Sequence, residues 1–457
     1  MIDVMSARQA TVSRRWGSKP VPMRSVWIAF VLAGCTASQE DVRPLPDVFM
    51  FPTGAAVSPD ERFLFVANAN SELEKDSGSV FVIDLDAVDA VAGAWTSTGQ
   101  PPSGCEQDPD RRETLTCPEA RFILADAGAR IGNFATDIAV QDTGNGTLRL
   151  IVPTRGDPSI AWLDFDGTHL ECTGDQGFAL CDEAHRLSYV HDDPDLALLP
   201  DEPFDAYADS SGEFAVVTHL KTGAVTLIDS PIGGPAMVAD VLTGVFAVDL
   251  LSGGATGVAA RPSPGGDIVY VASRNEDRVQ TMTVGTPVND APPYLIPGNY
   301  FFLDLAGNSA GRSADSRGLA FSSSGDRMYL INRRPPTLQV FDTSFGPTGF
   351  PRNEGIAVTD ICRQASTLAV MDTGDGERAY VTCFQDGQMY IVDPRGLSSV
   401  EDIVTVGRGP YAVVAAPNRK KVFVTNFLEN TVVVVDVSPT SPTYNRVVLR
   451  IGDVKPL

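Results

Sequence analysis

Arginine side chains recur beside the ends of predicted strands, where several guanidinium groups could bind one anion. Guanidinium groups bind carboxylates and phosphates through paired hydrogen bonds, so arginines that meet on one rim would form an anion-binding ring. Alternatively, each arginine pairs with an acidic neighbour such as Asp157, Glu276 or Asp277. The candidates are Arg155, Arg274, Arg333 and Arg334, each after a strand that ends in a small polar residue, and Arg317 and Arg408, which precede first strands.

One histidine, His219, occupies the small polar position at the end of such a strand. An imidazole there could act as a general base or as a ligand-binding group. The alternative is a histidine that is hydrogen bonded within the fold. The sequence contains no Gly-x-Ser-x-Gly elbow, phosphate-binding loop or His-Glu-x-x-His motif, so no catalytic residues are assigned.

Two predicted hairpins, 142–146 (DTGNG) and 372–377 (DTGDGE), alternate residues with side-chain oxygen atoms and glycines. This pattern is similar to short calcium loops, with Asp142, Asp372 and Asp375 as ligands. The same residues suit tight turns, in which Asp accepts backbone N–H groups and Gly adopts positive φ. We expect turns and no resident cofactor, with calcium as the alternative.

The elements that position these residues come from an internal repeat that occurs seven times. Each copy has an apolar run that ends in a small polar residue, and ten residues later a second apolar run closes with an Asp in every copy but the fourth. The first copy has six extra residues between them. Constant spacing between strand ends predicts a β-hairpin with a short loop. The small polar position holds Asn68, Thr154, His219, Ser273, Asn332, Cys383 and Asn426, and the closing position holds Asp84, Asp164, Asp229, Thr283, Asp342, Asp393 and Asp436.

Each copy also has a first strand after a Gly or Pro turn, and an apolar segment lies between consecutive copies. Seven repeats of four short strands predict an all-β fold, a seven-bladed β-propeller of four-stranded antiparallel blades, within one domain over residues 46–457. The fourth strands are predicted at 121–124, 187–190, 245–248, 300–303, 356–358, 403–406 and 447–450.

The repeats resemble the YVTN-type β-propeller repeat family over residues 46–451. The residues that carry the resemblance are Ser58-Pro59-Asp60, Phe65-Val66-Ala67-Asn68, Val82-Ile83-Asp84, Phe423-Val424-Thr425-Asn426 and Val434-Val435-Asp436. The resemblance implies the propeller fold. It constrains function weakly, because this family includes binding modules, surface proteins and lactonase-like or dehydrogenase relatives.

Residues 1–34 have the pattern of a signal peptide: a positive charge at Arg24, an apolar run over 26–31 and small residues before Cys35. Residues 32–35 resemble a bacterial lipobox, which implies diacylation of Cys35, palmitate included, and a lipid-anchored tether over 35–45. An uncleaved signal anchor is the alternative. Residues 1–22 are an extension from an upstream start or part of a twin-arginine export signal. We expect a lipoprotein of the bacterial cell envelope, in the outer membrane because Thr36 replaces the Asp of inner-membrane retention.

The net charge of −23 disfavours nucleic acid as a partner. The expected contacts are the membrane, through the lipid anchor, and an envelope protein or a small ligand. The protein itself is expected to be a monomer.

Six cysteines follow Cys35, and an even number favours disulfides in an exported protein. Two pairs each share one insertion between a third and a fourth strand. The third pair lies at the start of a first strand and the end of the second strand of the same repeat, which a propeller brings to one rim. A zinc site, the alternative, would need a close Cys-x-x-Cys pair, which the sequence lacks. The predicted disulfides are Cys105–Cys117, Cys172–Cys181 and Cys362–Cys383.

These features favour a non-enzymatic binding or scaffold protein that uses the rim of the channel or its long insertions. The insertions, near 86–119, 166–186, 285–298 and 344–355, are expected mostly on the opposite rim and suit protein recognition. The alternative is a lactonase-like hydrolase or a cofactor- or metal-dependent oxidoreductase that uses the channel mouth.

Overall fold

The computed structural model describes residues 42–454, except 176, 210, 212, 247–252, 264–265, 287–290, 304–313 and 397. The predicted signal peptide and the lipidation site at Cys35 lie outside the described residues. Within them, no helix is both long and apolar enough to cross a membrane.

Seven antiparallel sheets form a seven-bladed β-propeller, as the repeats predict. We number the blades 1 to 7 in chain order and the strands of each blade from the channel outward. The inner strands are Pro52–Val57, Ala139–Asp142, Pro203–Asp209, Ala255–Arg261, Ser316–Phe321, Ala365–Asp372 and Pro410–Ala416. The second strands are Phe63–Asn68, Leu148–Thr154, Phe214–His219, Ile268–Ser273, Arg327–Arg333, Glu377–Cys383 and Lys421–Asn426. The third strands are Gly78–Asp84, Ser159–Phe165, Val225–Asp229, Arg278–Gly285, Pro336–Asp342, Gln388–Asp393 and Thr431–Asp436. The outer strands are Ala129–Ile131, Arg186–Leu187, Met237–Leu242, Tyr294–Phe302, Glu354–Asp360, Ser399–Thr405 and Arg446–Ile451.

The core consists of apolar layers between neighbouring blades. Successive residues of a strand point to opposite faces of the sheet, so Tyr329 packs towards blade 6 and Leu330 towards blade 4. Both faces of each blade are therefore buried, which explains why the second strands are apolar at consecutive positions.

The Asp that closes a repeat stabilises the turn after the third strand. The carboxylate of Asp342 accepts a hydrogen bond from the backbone N–H of Ser344, at 2.9 Å. In blade 1, the Asp84 carboxylate accepts from the Asp86 N–H at 2.8 Å and caps the helix Leu85–Thr98. The same contact to the second following residue occurs at Asp393 and Asp436. The repeated Asp is thus structural.

Side-chain hydrogen bonds near the channel link consecutive blades at six of the seven boundaries. The Thr53 hydroxyl donates to Ala135 O at 2.8 Å, which joins blade 1 to blade 2, and the Thr425 hydroxyl donates to Thr53 O at 2.8 Å, which joins blade 7 to blade 1. Hydroxyl groups of Thr136, Thr218, Thr256 and Thr367 make the equivalent bonds elsewhere. These bonds join neighbouring blades at the channel wall.

An insertion in blade 1, which we call the clasp (residues 85–118), reaches across to blade 7. Its strand Leu115–Cys117 pairs in parallel with the outer strand Arg446–Ile451, and Glu106–Gln107 pairs with Leu115–Cys117 in turn. The four regular strands of blade 7 all come from the C-terminal part of the chain, over residues 410–451. The clasp therefore closes the ring that the chain order leaves open.

Two of the predicted outer strands are wrong. In blade 1, residues 119–121 form a 3₁₀ turn and only Ile123 bridges to the third strand, while Ala129–Ile131 takes the outer position. In blade 3, the outer strand is Met237–Leu242 and lies before the predicted 245–248, of which 247 and 248 are outside the described residues. Apolar character alone cannot distinguish an edge strand from a buried connection.

The other two short strands outside the regular pattern are Leu170–Glu171 and the clasp strand Glu106–Gln107, and further 3₁₀ turns cover Glu183–His185 and Val190–Asp192.

The three predicted disulfides are confirmed, because Cys105–Cys117, Cys172–Cys181 and Cys362–Cys383 are bonded in the structure. Two of them fix insertions. The third joins the start of the inner strand of blade 6 to the end of its second strand.

Candidate ligand-binding cavity

A β-bulge lies at the same position in the inner strands and turns extra residues towards the channel. In blade 3, Pro203 pairs with His219 and Ala206 with Val217, so three steps along the inner strand match two on its neighbour. A bulge re-aims the side chains around it. In register, the third residue of this bulge is Gly54, Asp137, Asp205, Gly257, Gly318, Thr367 or Ala412. Blades 2 and 3 therefore carry carboxylates where the other blades carry small or uncharged residues.

The glycines at this position allow close approach of neighbouring inner strands. A Cβ atom on Gly54 would lie 2.4 Å from the Cα atom of Asp137, and one on Gly257 would lie 2.8 Å from the carbonyl oxygen of Arg317. Neither backbone could accommodate it without moving. Gly54 therefore contributes to placing Asp137 on the channel wall.

The mouth of the channel holds a cavity of about 460 Å³, within the size range of small-molecule sites. It is lined by four of the arginines predicted as candidates, Arg155, Arg274, Arg317 and Arg333. The bulge carboxylates Asp137 and Asp205 and the side chains of Phe204, Phe384 and Tyr411 complete much of its wall. The repeat register thus predicts the common location of these four arginines.

Three guanidinium groups from blades 4 and 5 converge on one side, and we call Arg274, Arg317 and Arg333 the arginine cluster. Burial and the positive charge of Arg317 lower the pKa of Arg333 to about 10. Burial also lowers the pKa of Arg317, to which the charge of Arg274 contributes. These shifts show that like charges face one another in a partly desolvated space.

The carboxylates near the arginine cluster neutralise it incompletely. Arg317 Nε lies 2.9 Å from Asp315 Oδ1, and Arg333 Nε donates to the carbonyl oxygen of Ala365 at 2.7 Å. Among the residues that the structure describes, Arg274 forms no ion pair, and its buried Nε atom has no hydrogen-bond partner. An anion in the cavity would supply the missing acceptor.

Arg155 lies in a different sector of the wall and is already paired. Its Nη2 atom lies 3.1 Å from Glu202 Oε1, not beside Asp157, which pairs with Arg186. Arginine–acid pairing thus holds for Arg155, but with a partner from blade 3 that the sequence did not indicate.

The two bulge carboxylates face each other across the boundary of blades 2 and 3. Asp137 Oδ2 and Asp205 Oδ1 both accept the backbone N–H of Ala206, each at 3.1 Å, and Asp205 Oδ2 accepts the N–H of Val258 at 2.9 Å. Burial, with the charge of the hydrogen-bonded Asp137 carboxylate, raises the pKa of Asp205 well above its ordinary value. The pair therefore favours a shared proton.

Tyr411 of blade 7 stands between these groups. Burial raises the pKa of its hydroxyl to about 12. The negative charges of Asp137 and Asp205 raise this pKa further, and the positive charges of Arg155 and Arg317 lower it. A neutral hydroxyl at this place can donate or accept a hydrogen bond. The cavity also contains the buried Ser366 Oγ atom, which has no hydrogen-bond partner among the described residues.

His219 and Arg408 do not line this cavity. His219 is fully buried, and its Nε2 atom hydrogen bonds to the Thr226 hydroxyl at 2.7 Å, as Asn426 Nδ2 does to Thr431 in blade 7. Burial lowers the pKa of His219 to about 4, so the ring is neutral at physiological pH. Arg408 lies 3.5 Å from Glu429, while Arg334 is exposed and lies 3.6 Å from Asp315.

The three acidic residues considered for calcium lie in turns. Asp142 Oδ1 accepts the N–H of Gly144 at 2.8 Å, and Asp372 Oδ1 accepts that of Gly374 at 2.8 Å. Asp375 contributes its backbone oxygen to Arg395. Within the described parts of the chain, no three His, Cys, Asp or Glu side chains form a group that could hold a metal ion.

Sequence reasoning missed Asp137, Asp205 and Tyr411. Their signal lies in the inner strands, whose bulge shifts the register and hides the alignment. An alignment of these strands would have shown carboxylates in only two blades at a position that otherwise holds Gly, Thr or Ala.

Comparison with solved structures shows the same fold at low identity. A Bacteroides fragilis protein provisionally assigned as a 6-phosphogluconolactonase has a TM-score of 0.55 and 14% identity, with 86% of this chain and 99% of that chain covered. The Pseudomonas aeruginosa periplasmic gluconolactonase has a TM-score of 0.51 and 15% identity, covering 79% of this chain and 87% of that chain. Hydrazine synthase from Kuenenia stuttgartiensis also aligns, with a TM-score of 0.51, 12% identity, and coverage of 89% and 98%.

At such identities the likeness is one of fold. No protein-family model matches the sequence, and none of the curated proteins matches it. Function must be argued from the cavity itself.

Proposed function

We propose that the protein is a non-enzymatic recognition protein that binds a small anionic ligand in the cavity at the channel mouth. The observation that carries this proposal is the arginine cluster, in which Arg274, Arg317 and Arg333 converge although Asp315 is the only carboxylate paired with any of them among the described residues. Converging like charges cost free energy, which a bound anion would recover. Guanidinium groups also suit the planar oxygens of a carboxylate.

The proposed site is set apart from the rest of the protein by charge. The chain carries a net charge of −23, so a distant anion is repelled by the surface as a whole. Local groups, not long-range attraction, must supply the affinity. We therefore expect modest association rates and binding that weakens with salt.

Calorimetric titration with acetate, citrate and inorganic phosphate tests this proposal. We expect at least one anion to bind and its affinity to fall about tenfold or more in Arg274→Ala and in Arg333→Ala. Arg408→Ala is the matched control, because Arg408 lies outside the cavity and is expected to leave binding unchanged. Unaltered affinity in Arg274→Ala, or binding of no anion at all, would overturn the proposal.

We further propose that the protein is a YVTN-type repeat lipoprotein of the bacterial cell envelope, a monomer anchored through Cys35. The lipobox resemblance over residues 32–35 supports this, and three disulfides suit an oxidising compartment outside the cytoplasm. Labelling of cells with a palmitate analogue should mark the wild type and not Cys35→Ser. Equal labelling of both would contradict the anchor, and fractionation of the labelled cells would show whether the outer membrane holds it.

A lactonase-like hydrolase is the second candidate, and the paired carboxyls Asp137 and Asp205 favour it. One protonated and one ionised carboxyl could act as general acid and general base. The gluconolactonase-named neighbour contributes fold likeness alone. Turnover of gluconolactone that disappears in Asp205→Asn would establish this alternative, and unchanged hydrolysis in that variant would remove it.

A further inference from the structure

We propose that the ligand is a small zwitterion, with its carboxylate held by the arginine cluster and its ammonium group held between Asp137 and Asp205. This inference rests on the proposed anion-binding function and names the ligand class of the same cavity. It follows from an arrangement in which two oppositely charged sets of side chains line one cavity without neutralising each other.

The separation of the two sets is the central observation. Four arginines line the cavity, yet among the described residues no Arg or Lys side chain lies within 4.0 Å of the carboxylate of Asp137 or Asp205. Long arginine side chains normally pair with a carboxylate within reach. Here Arg155 pairs with Glu202 and Arg317 with Asp315, and both bulge carboxylates remain available to a ligand.

The blade positions explain why the two sets stay apart. Asp137 lies just before the inner strand of blade 2 and Asp205 lies in that of blade 3, whereas the arginine cluster comes from blades 4 and 5. Each set is fixed by backbone contacts: the Ala206 N–H holds both carboxylates, and the Ala365 carbonyl holds Arg333. A ligand with a positive charge at one end and a negative charge at the other could pair with the two carboxylates and with the arginine cluster at the same time.

Within the described parts of the chain, two buried polar atoms beside the cavity lack a partner that a polar ligand could supply. Arg274 Nε and Ser366 Oγ are buried beside the cavity without a hydrogen-bond partner among the described residues. Buried polar groups are generally satisfied, and an unsatisfied one indicates a missing partner. Phe204 and Phe384 supply apolar wall for the uncharged part of a ligand.

The carboxyl pair should make binding of a zwitterion release a proton, which can be measured. Burial and the neighbouring charge of Asp137 favour the protonated form of Asp205, so the free pair carries one proton. An incoming ammonium group replaces that proton as the positive charge between them. Binding of the zwitterion therefore releases up to one proton to solvent, whereas a plain carboxylate bound at the arginine cluster releases none.

The same chemistry is found in free amino acids and at the termini of short peptides. Calorimetry with glycine, γ-aminobutyrate, diglycine and triglycine separates these sources, because the tightest binder reports the distance between the charges that the cavity prefers. Acetate, butyrate and ethylamine serve as probes with one charge only.

We expect the best zwitterion to bind about tenfold or more tightly than the matching carboxylate, and its affinity to rise as pH increases, by up to about tenfold per unit, while the pair holds its proton. In the double variant Asp137→Asn, Asp205→Asn, the zwitterion should lose this advantage and its pH dependence, while carboxylate affinity stays within about twofold. Asp157→Asn, which removes a rim carboxylate outside the cavity, is the matched control.

The outcomes distinguish this inference from the proposal on which it rests. Equal binding of zwitterion and carboxylate, or an advantage that survives in the double variant, would overturn the zwitterion assignment and leave anion binding intact. Binding of neither would overturn both. Thermal melting of the double variant monitors its fold, and retained carboxylate binding shows that its arginine cluster is in place.

Discussion

Arg450, in the last strand of the propeller, forms an ion pair with Asp108 in the clasp of the first blade, with 2.6 Å between Nη1 and Oδ2. Both side chains are largely buried, with relative exposures of 8% and 10%. The two residues are 342 positions apart in sequence, so this contact ties the beginning of the ring to its end.

Loss of this pair should weaken the attachment of the clasp to blade 7. Removing one partner of a buried ion pair leaves an unpaired charge, so we expect Asp108→Asn to lower the free energy of unfolding by about 3 kcal/mol. Urea denaturation measures this change. The exposed pair of Arg446 and Asp402 links blades 7 and 6 and gives the control, since Asp402→Asn should cost less than about 1 kcal/mol. Equal effects of the two substitutions would show that the buried pair contributes no more to stability than the more exposed one.

The clasp should also weaken in acid. Burial alone would raise the pKa of Asp108. The hydrogen bonds from Arg450 and from the Asp110 N–H, together with the charges of Arg450 and Arg111, outweigh burial, so the net pKa is below the ordinary value of 3.8. A depressed carboxyl pKa stabilises the fold above the unfolded value, and this contribution is lost as pH falls below about 4. Wild type should therefore lose more stability than Asp108→Asn between pH 5 and pH 2.

The disulfide Cys362–Cys383 should support both stability and the cavity. It closes a loop of 21 residues, so replacing both cysteines by alanine should cost about 3 kcal/mol. Gln364 and Phe384 follow the two cysteines and line the cavity, so ligand affinity should fall as well. Replacing Cys172 and Cys181 is the comparison, because that insertion lies outside the cavity and its loss should leave affinity unchanged. Unaltered binding in the first variant would show that blade 6 holds its shape unaided.

His219 should reduce stability at low pH. Burial holds its pKa at about 4, whereas the unfolded chain has a value near 6.5, so the unfolded state takes up a proton first as pH falls. Stability that is present above pH 6.5 is then lost towards pH 4, on the order of 3 kcal/mol. Asn occupies the equivalent position in blades 1, 5 and 7, so His219→Asn should fold and lose less stability over this range. Parallel pH profiles of the two proteins would contradict the buried, neutral state.

Repulsion between the guanidinium groups of the arginine cluster should lower the stability of the ligand-free protein. Without ligand, Arg274→Ala removes one of three converging charges and leaves no buried partner unsatisfied, so we expect stability to rise by about 0.5 kcal/mol. Differential scanning calorimetry at low salt, where repulsion is greatest, is the suitable measurement. Arg155→Ala should instead lower the stability of the protein, because it leaves Glu202 without its ion-pair partner. A lower melting temperature in Arg274→Ala would mean that Arg274 has a structural role.

The positions at which the repeats agree were the most predictable part of the protein. Asn426 and Asp436 mark strand ends at a fixed spacing, and that spacing predicted the hairpins, the propeller and the pairing of Cys362 with Cys383. Local chemistry explains this success, since turn carboxylates and alternating apolar faces impose the same structure in every copy.

Residues outside the repeat consensus were less predictable. His219 has the sequence register of a rim residue, yet it replaces Asn as a buried hydrogen-bonding group and points away from the cavity. Arg155 is paired with Glu202, which lies 47 residues away in the next blade. Such partners depend on how blades pack, which spacing within one repeat does not specify.

The fold and the disulfides could be predicted from the sequence alone, because both depend on register within a repeating unit. The same register placed Arg155, Arg274, Arg317 and Arg333 at one rim, but it also placed Arg408 and His219 there, and these two do not line the cavity. The contact between Asp137 and Asp205 could be recognised only in the folded chain. Their contact requires a bulge in two inner strands and the packing of one blade against the next, so two residues 68 positions apart come to share a single backbone N–H.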